Sequence, residues 1–390
     1  MWTAIHIIDI VLWVIMALSV AYVALFAVIS LFPHRSSKAQ APSPSSQKHS
    51  FLVLFPAYKE DAVIIHSVRQ FLEQRYPKER YQIAVISDHM TDDTNDALRK
   101  LPITLHTLTY EKSSKAKALQ YAMRHTKGTY DYVVILDADN VVLPDFLELL
   151  NAACLKGYQA IQCHRCAKNS DNGIAMLDGT SEEINNTIFR KAHNTIGLSS
   201  ALIGSGMCFT YEWFRQHVEL LDSAVEDREL ESQLLQEKIY IRFENDIHVY
   251  DEKVSNHENF ERQRLRWLNG QLQTLLLMLP NIPHAIVTGN INYIDKTIQQ
   301  TLIPRSILLV LIPFFGVIML ILSPIWSMKW WGLFLVLCIS LYVAVPKQMR
   351  SSSVLAKLTS FPRLALKMLK NLFHLNRNNK EFLHTTHGNE

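Results

Sequence analysis

The sequence predicts an α/β domain with a mostly parallel sheet, flanked near both ends of the chain by apolar helices that are long enough to span a membrane. Three observations carry this prediction. Strand-like and helix-like segments alternate from about residue 50, the strands are nearly continuous apolar runs, and the remaining hydrophobic residues concentrate in residues 1–33 and 299–346. Such alternation is typical of βαβ units, and continuous apolar runs are typical of strands that are buried on both faces.

The composition sets limits on size and chemistry. A chain of 390 residues can hold two ordinary domains, and a hydrophobic content of 48% is high for a soluble protein. The net charge of +3 is mild and no nucleic-acid motif is present, so we predict no nucleic-acid partner. The five cysteines argue against a disulfide framework. Cys163 and Cys166 have CxxC spacing, but no second Cys or His pair lies at ligand spacing, which disfavours metal or redox chemistry there.

Residues 1–33 are predicted to form a transmembrane helix. The run over residues 5–32 carries a single charge, Asp9, and is long enough to cross a bilayer with some tilt. A flexible linker over residues 34–49 follows and begins with basic residues. The positive-inside rule therefore predicts that the amino terminus lies outside and the following domain lies in the cytoplasm. Asp9 is expected to reach the lipid headgroups.

Residues 299–346 are predicted to form a transmembrane hairpin. Apolar blocks over residues 302–325 and 330–345 are separated by a short turn over residues 326–329. The second block has only about 16 residues, so a re-entrant hairpin is the alternative. Residues 347–390 are predicted to form a basic amphipathic tail on anionic lipid. These segments predict a multi-pass protein of the cell (inner) membrane with a cytoplasmic domain.

Acidic side chains follow three strands of the predicted sheet. Asp137 and Asp139 come directly after an apolar run, and Glu60 and Asp88 follow two earlier strands. The carboxyl ends of parallel strands are where open α/β sheets bind ligands. Two aspartates at i and i+2 suit one hard cation together with its phosphate oxygens. The alternative is that one of them caps the helix expected to begin near Pro144.

Phosphate binding through glycine-rich loops is not indicated, because the fingerprints of dinucleotide folds and P-loops are absent after these strands. Acidic residues bind a phosphate only through a cation, whereas a lone aspartate can accept hydrogen bonds from a base or ribose. Lys115 and Lys117 add direct positive charge at the start of a helix predicted over residues 115–125. The alternative for these lysines is a solvated helix start.

Two later segments carry further candidates. Gly204 and Gly206 interrupt an apolar strand predicted over residues 201–210, and glycines there allow a ligand to approach the backbone. Asp227 begins a helix predicted to reach about residue 238, either as its N-cap or as a functional carboxylate.

The last helix before the hairpin has an unusual face. Gln263, Arg266 and Trp267 lie at i, i+3 and i+4 and therefore share one side. An amide, a guanidinium and an indole suit a bound diphosphate and a stacked sugar ring. A surface arginine and an interfacial tryptophan beside a membrane are the alternative.

In this order the motifs resemble family-2 glycosyltransferases, in particular the membrane-embedded branch that includes cellulose, hyaluronan and chitin synthases. The resemblance covers roughly residues 50–275. It rests on the following segments: Pro56-Ala57-Tyr58-Lys59-Glu60, Asp88 with Thr91-Asp92, Lys115 to Leu119, Asp137-Ala138-Asp139, Gly204-Ser205-Gly206, Glu226-Asp227 and the QxxRW motif Gln263, Arg266, Trp267.

The resemblance implies a GT-A domain over residues 50–258, QxxRW and interfacial helices over residues 259–298, a UDP-sugar donor, Mg²⁺ or Mn²⁺, and inverting transfer. Asp227 would be the general base at the acceptor hydroxyl, and Asp137 and Asp139 would hold the donor and the metal. The donor would also contact Pro56, Ala57, Tyr58, Glu60, Asp88, Lys115, Lys117, Gln263, Arg266 and Trp267. The acceptor would contact Gly204, Ser205, Gly206, Glu226 and Trp267.

Two positions depart from the common pattern of this family. His89 stands where many relatives have glycine, and Ala116 stands where glycine often precedes the second lysine. Both changes tighten the nucleotide loop, and neither removes a charged group.

Three functions follow from the resemblance. The favoured one builds or extends a polysaccharide or oligosaccharide from UDP-GlcNAc or UDP-glucose. The second adds one or a few sugars to a lipid-linked or glycan acceptor, because three helices can hardly enclose a sugar-wide channel without a homo-oligomer or a secretion partner. The third, a non-catalytic nucleotide-sugar sensor, is disfavoured by the retention of every acidic group. Membrane lipids are expected partners in each case.

Overall fold

A mixed eight-stranded sheet lies at the centre of the part of the chain that the structure describes, residues 2–33, 47–169, 173–223, 225–253 and 257–350 of a computed structural model. The strand order is β3-β2-β1-β4-β7-β6-β8-β5. The strands are β1 Phe51–Tyr58, β2 Tyr81–Asp88, β3 Thr104–Leu108, β4 Tyr132–Ile135, β5 Val141–Val142, β6 Ala160–Ala167, β7 Met207–Thr210 and β8 Ile241–Asp251.

Helices surround the sheet and extend from it near both ends of the described chain. Before residue 200 they are α1 Trp2–Ile29, α2 Ile64–Phe71, α3 Asp92–Arg99, α4 Lys115–His125, α5 Phe146–Cys154, α6 Gly173–Asn185 and α7 His193–Thr195, with a π-helical stretch Asn186–Ala192 joining the last two. After it they are α8 Tyr211–His217, α9 Glu226–Gln236, α10 His257–Met278, α11 Ile282–Val287, α12 Ile291–Thr301, α13 Arg305–Leu322 and α14 Pro324–Ala344.

The sheet confirms the predicted α/β class and adds an antiparallel part. The first four strands in sheet order, β3, β2, β1 and β4, are all parallel. Beyond them β7 runs antiparallel to both β4 and β6, while β6 and β8 are parallel. The strand predicted over residues 201–210 is wrong in its first half. Gly204 and Gly206 have φ of 78° and 64°, which an extended strand does not adopt, so β7 begins only at Met207.

The central strands are buried on both faces, as their apolar runs predicted. Phe51 and Val53 of β1 pack into one hydrophobic cluster, and Leu52 and Leu54 pack into another on the opposite face. Burying each such side chain stabilises the fold by about 1.5–3 kcal/mol. The carboxyl ends of β1, β2 and β4 are therefore rigid points at which polar side chains can be held.

Within the described chain, three helical segments are long and apolar enough to cross a membrane: Thr3–Ile29, Arg305–Leu322 and Pro324–Ala344. The predicted turn over residues 326–329 is wrong. The hairpin turns at Ser323, because Pro324 occupies the first position of α14, where its missing N–H costs nothing. Helix α14 consequently has 21 residues instead of about 16, which removes the reason for a re-entrant segment. The predicted tail from residue 351, and residues 34–46 of the predicted linker, lie outside the described residues.

Asp9 joins α1 to α14. Its carboxylate pairs with Nζ of Lys329 and accepts a hydrogen bond from Nε1 of Trp330 at 2.8 Å. Only 6% of Asp9 is exposed, so its carboxylate is buried against these two side chains. A charged group among apolar helices is far more stable when it is paired, and here the partner lies on the neighbouring helix.

Candidate active site

A cavity of about 810 Å³ lies at the carboxyl ends of β1, β2 and β4 and continues between the apolar helices. Most of the residues that the sequence predicted for the site line this cavity. Those that line it are Pro56, Ala57, Tyr58, Glu60, Asp88, Lys115, Asp137, Asp139, Gly204, Glu226, Asp227, Gln263, Arg266 and Trp267. Segments more than 200 residues apart in the sequence thus meet around one space.

Three predicted site residues do not line this cavity: Lys117, Ser205 and Gly206. Nζ of Lys117 donates to the carbonyl oxygen of Lys112 at 2.6 Å. Ser205 is fully buried, and its hydroxyl accepts a hydrogen bond from the backbone N–H of Asp137 at 3.2 Å. Gly206 packs so closely that an added Cβ would lie 3.0 Å from Val249. Ser205 and Gly206 therefore support the cavity wall from behind.

Asp137 and Asp139 are held by their own loop at the end of β4. The backbone N–H of Asp137 donates to Oδ1 of Asn140 at 2.9 Å. Asp139 is 4% exposed, and its Oδ2 accepts the backbone N–H of Glu252 at 2.8 Å. Neither aspartate caps α5, whose N-cap is Asp145. The alternative that one of these aspartates caps the helix is therefore excluded. The hydrogen bond of Asn140 within this loop was not predicted from the sequence.

The oxygen ligands at this loop suit a hard divalent cation. Both aspartates line the cavity, two residues apart in one loop. Within the described chain, no third carboxylate, histidine or cysteine forms a compact three-ligand group with them. A cation bound here would therefore take its other ligands from a diphosphate or from water.

Lys115 connects the loop at the end of β4 with Gly204 and the start of α9. Its Nζ pairs with Oδ1 of Asp137, donates to the carbonyl oxygen of Gly204 at 2.6 Å, and lies 3.5 Å from Oε1 of Glu226. A Cβ on Gly204 would lie 3.6 Å from Oδ2 of Asp227 and 3.8 Å from Nζ of Lys115. With a φ of 78°, this glycine brings its backbone between the charged groups in a conformation that other residues rarely adopt.

Glu226 and Asp227 occupy the first turn of α9. The N-cap of this helix is Val225, so the alternative that Asp227 is the N-cap is wrong. Burial raises the pKa of Glu226 to about 7, and the neighbouring Asp227 acts in the same direction, while Lys115 opposes them. Burial would lower the pKa of Lys115, but Asp137 and Glu226 outweigh it and raise that pKa. The pair of acids therefore differs in environment although the two residues are adjacent.

The QxxRW face of α10 closes the cavity opposite the sheet, with Gln263, Arg266 and Trp267 all lining it. The buried Oε1 of Gln263 has no hydrogen-bond partner in the described part of the chain, which leaves an acceptor for a ligand. One turn beyond Arg266, a Cβ on Gly270 would lie 2.6 Å from Cγ1 of Val225. Helix α10 thus packs directly on the residue that precedes Glu226.

A group of buried charges along β6 and β8 was not predicted from the sequence. Arg165 lines the cavity, and its Nη2 donates to Oε2 of Glu182 at 3.0 Å while its Nε lies 3.4 Å from Oδ2 of Asp251. Burial would raise the pKa of Glu182, but Arg165 and nearby cations lower it to about 2. The sequence signal for this group is Arg165, an arginine inside a strand. The prediction considered only the cysteines on either side of it.

At the other end, the cavity becomes apolar between the membrane-type helices. Its lining there includes Val23, Leu309, Phe334, Cys338 and Leu341. Arg305 begins α13 and Arg350 follows α14, so both lie at the same end of the hairpin, and both line the cavity. Nη2 of Arg305 donates to Oδ1 of Asn185 at 2.7 Å. The cavity thus passes from an acidic region, past cationic groups, to an apolar region.

Together, the sheet and the acidic cavity at its strand ends define a GT-A type of glycosyltransferase domain. The chain belongs to glycosyl transferase family group 2, which matches residues 132–345.

One curated relative and one solved structure illustrate the similarity. The dolichyl N-acetyl-alpha-D-glucosaminyl phosphate 3-beta-D-2,3-diacetamido-2,3-dideoxy-beta-D-glucuronosyltransferase of Methanococcus voltae is 21% identical over 215 residues, which are 53% of this chain and 63% of that protein. This chain therefore matches less than two thirds of that relative's length. The mannosyltransferase PcManGT of Pyrobaculum calidifontis, solved with GDP-Man and Mn²⁺, is 16% identical with a TM-score of 0.51, over 92% of this chain and 98% of that chain. The structural likeness confirms the GT-A fold.

Proposed function

We propose that this glycosyltransferase transfers a sugar from a nucleoside diphosphate sugar to a lipid-linked acceptor at a membrane surface. The supporting observation is the single cavity that joins the carboxylates of Asp137, Asp139 and Asp227 to the apolar space between α1, α13 and α14. A water-soluble acceptor needs no apolar extension of this kind. The Methanococcus voltae relative is named for an acceptor linked to a dolichyl phosphate, which agrees with the proposal.

The donor would lie against the strand ends. Asp88 would accept hydrogen bonds from a uracil, while Arg266 would bind the diphosphate in a bidentate manner and Trp267 would stack on the sugar. UDP-GlcNAc and UDP-glucose are the proposed donors. Mg²⁺ or Mn²⁺ held by Asp137 and Asp139 would supply charge neutralisation at the leaving diphosphate, worth several kcal/mol of barrier. The oxygen ligands fit such an ion, and PcManGT was solved with Mn²⁺ and a nucleotide sugar.

The acceptor would enter from the apolar end. Arg305 and Arg350, at the inner end of the hairpin, would attract the phosphate of a lipid, and the chain would lie along Leu309 and Phe334. Asp227 would take the proton of the attacking hydroxyl. The new bond to the anomeric carbon would form as the bond to the diphosphate breaks on the opposite face. This single displacement inverts the anomeric centre and gives a β-linkage.

A polysaccharide synthase of the QxxRW type is the second candidate. The observation in its favour is that the QxxRW face of α10 lines the same cavity. It would need an oligomer or a secretion partner to enclose a channel, since only three segments of the described chain are candidate spans.

For either function we propose the same division of the chain: helix 1–33, linker 34–49, GT-A domain 50–258, interfacial helices 259–298, hairpin 299–346 and basic tail 347–390.

The test is a donor panel with the purified full-length protein in lipid nanodiscs. Radiolabelled UDP-GlcNAc, UDP-glucose and GDP-mannose are offered with Mn²⁺ and either a total lipid extract or water-soluble oligosaccharides. We expect label to enter the organic phase in a product that carries one or a few sugars. A long water-soluble polymer would instead identify a synthase, and nucleotide-sugar binding without nucleotide release would identify a sensor.

A further inference from the structure

A second cluster of metal-ligating side chains lies on β6 and β8, outside the cavity. His164 of β6 is paired with His248 of β8 across the sheet, and Cys166 lies two residues further along β6 on the same face. One ligand atom from each of the three residues lies within 4.8 Å of the others. None of the three residues lines the cavity described above.

A carboxylate from a helix contacts one member of this cluster. The two carboxylate oxygens of Glu183, in α6, lie 3.0 and 3.1 Å from Nε2 of His164. The two side chains are only 13% and 11% exposed, respectively. Nδ1 of His164 lies 2.9 Å from the carbonyl oxygen of Asn245, so Nδ1 carries the hydrogen of that bond. Histidines that bind metals are commonly oriented by such a bond, which leaves Nε2 for the ion.

We propose that His164, Cys166 and His248 bind a zinc ion, with Glu183, which lies beside His164, as the fourth ligand. Two imidazoles, a thiolate and a carboxylate are ligand types that zinc takes in tetrahedral sites. Zinc–nitrogen and zinc–sulfur bonds of about 2.0–2.3 Å separate neighbouring ligand atoms by roughly 3.3–3.6 Å. The ligand atoms of His164, Cys166 and His248 lie within 4.8 Å of one another, so side-chain rotations would have to shorten these separations to complete the site. This proposal is independent of the proposed transferase function.

The site would join three elements where the sheet is irregular. Cys163 is paired with Glu244, but the next residue, His164, is paired with His248, so residues 245–247 of β8 loop out of the ladder. An ion at this point would fix β6 to β8 and to α6. Arg165 lies between two of the ligands and lines the cavity, so the ion would also hold this strand against the active site.

A plain ion pair is the competing interpretation. In it a protonated His164 donates to Glu183, and Cys166 remains a thiol whose Sγ lies 3.7 Å from the carbonyl oxygen of His164. This arrangement would bind no metal, so a metal-binding experiment distinguishes the two interpretations.

Cobalt is the probe that reports on the thiolate. Full-length protein in detergent is treated with EDTA, desalted and titrated with Co²⁺ while its absorption spectrum is recorded. We expect one tetrahedral Co²⁺ with a thiolate-to-cobalt charge-transfer band, displaced by Zn²⁺. We expect Cys166→Ser to lose the band and His248→Asn to weaken Co²⁺ binding at least about tenfold. Co²⁺ bound at Asp137 and Asp139 would give no thiolate band.

Cys163→Ala is the matched control. Cys163 has the same CxxC spacing but is fully buried in the hydrophobic cluster on the other face, so this variant should keep the band. The wild-type titration alone decides the matter even if a variant fails to fold. Absence of a thiolate band from the wild-type protein, or a band that survives Cys166→Ser, would overturn the proposal.

Discussion

At the scale of single residues, Glu226 and Asp227 show how adjacent acids acquire different properties. Glu226 faces Lys115 and is buried, whereas Asp227 lies beside the backbone of Gly204 and accepts the backbone N–H of Arg228 at 2.9 Å. Of these two acids, only Glu226 lies within ion-pair distance of Nζ of Lys115, and Asp227 is the one that we propose as the base.

Replacing Asp227 by asparagine tests that assignment. We expect nucleotide release to fall by about 10²–10⁴-fold, because a general base contributes that much to rate. Donor binding, measured by calorimetry, should change little. Asp96→Asn is the control, since Asp96 is a largely exposed surface aspartate paired with Arg99. Normal turnover by Asp227→Asn would remove Asp227 from the mechanism.

The raised pKa of Glu226 predicts a pH dependence of stability. Between its ordinary value of 4.5 and about 7, the folded protein keeps a proton on Glu226 that the unfolded chain releases. The free energy of unfolding should therefore decrease as pH rises through this window. Glu226→Gln removes the titrating group and should flatten this part of the curve. Denaturant unfolding at pH 5 and pH 7.5 measures both proteins, and parallel curves would contradict the prediction.

At the scale of elements, the contact between α10 and the start of α9 sets the shape of the site. Gly270→Ala would place a methyl group 2.6 Å from Cγ1 of Val225. Overpacking of this kind costs about 1–3 kcal/mol and would displace the residue next to Glu226. We expect a loss of turnover of about tenfold or more, measured by nucleotide release.

A second substitution makes the steric cause testable. Val225→Ala removes Cγ1, the atom that would lie 2.6 Å from the new methyl group, and leaves Cβ at 3.6 Å, an ordinary contact distance. The double variant Gly270→Ala/Val225→Ala should therefore recover activity relative to Gly270→Ala. If the double variant is no better than the single one, the loss does not come from this contact.

The pair of Asp9 and Lys329 predicts a stability effect at the contact of α1 with α14. Lys329→Met would leave a buried carboxylate without its cation, which costs about 3–5 kcal/mol for a buried pair. We expect thermal unfolding in detergent to occur at lower temperature. The double variant Asp9→Asn/Lys329→Met should recover much of the loss. Arg99→Met, at an exposed pair, should change stability by at most about 1 kcal/mol, and an equal effect at both pairs would contradict the interpretation.

Local sequence patterns predicted most helices and strands. The features that were not predicted depend on pairing between strands that are distant in the sequence. Helix α4 has the predicted bounds, because apolar spacing and helix caps are local signals. The antiparallel β7 lies beside β4, from which more than 70 residues separate it in sequence. No local signal in the sequence specifies that neighbour, so the mixed half of the sheet was not predicted.

The same distinction applies to the site. Acids at strand ends could be predicted, because parallel strands bring their carboxyl ends to one edge. The ion pair between Arg165 and Asp251 could not be predicted, since only the register of β6 against β8 brings the two residues together. The backbone conformation of His89 shows why glycine is common at this position in the family. Its φ of 56° lies in the region that favours glycine, and its Nδ1 lies 2.6 Å from Oδ1 of Asp88.

At the scale of the whole molecule, one cavity connects the acidic strand ends with an apolar space between α1, α13 and α14, which we propose as the acceptor channel. Cys338 on α14 lines the apolar part, whereas the next residue, Ile339, is 54% exposed on the outside of the helix. A tryptophan at the first position would fill the channel, and a tryptophan at the second would face outward. The two variants therefore change the same helix by the same side chain on different faces.

The most direct measurement is transfer of labelled sugar to lipid by Cys338→Trp and Ile339→Trp in nanodiscs, with donor binding measured in parallel. We expect Cys338→Trp to reduce transfer to lipid at least about tenfold with donor affinity unchanged, because binding the chain buries apolar area there. Ile339→Trp should behave like the unmodified protein. Equal transfer by both variants would contradict the claim that the acceptor lies in this channel.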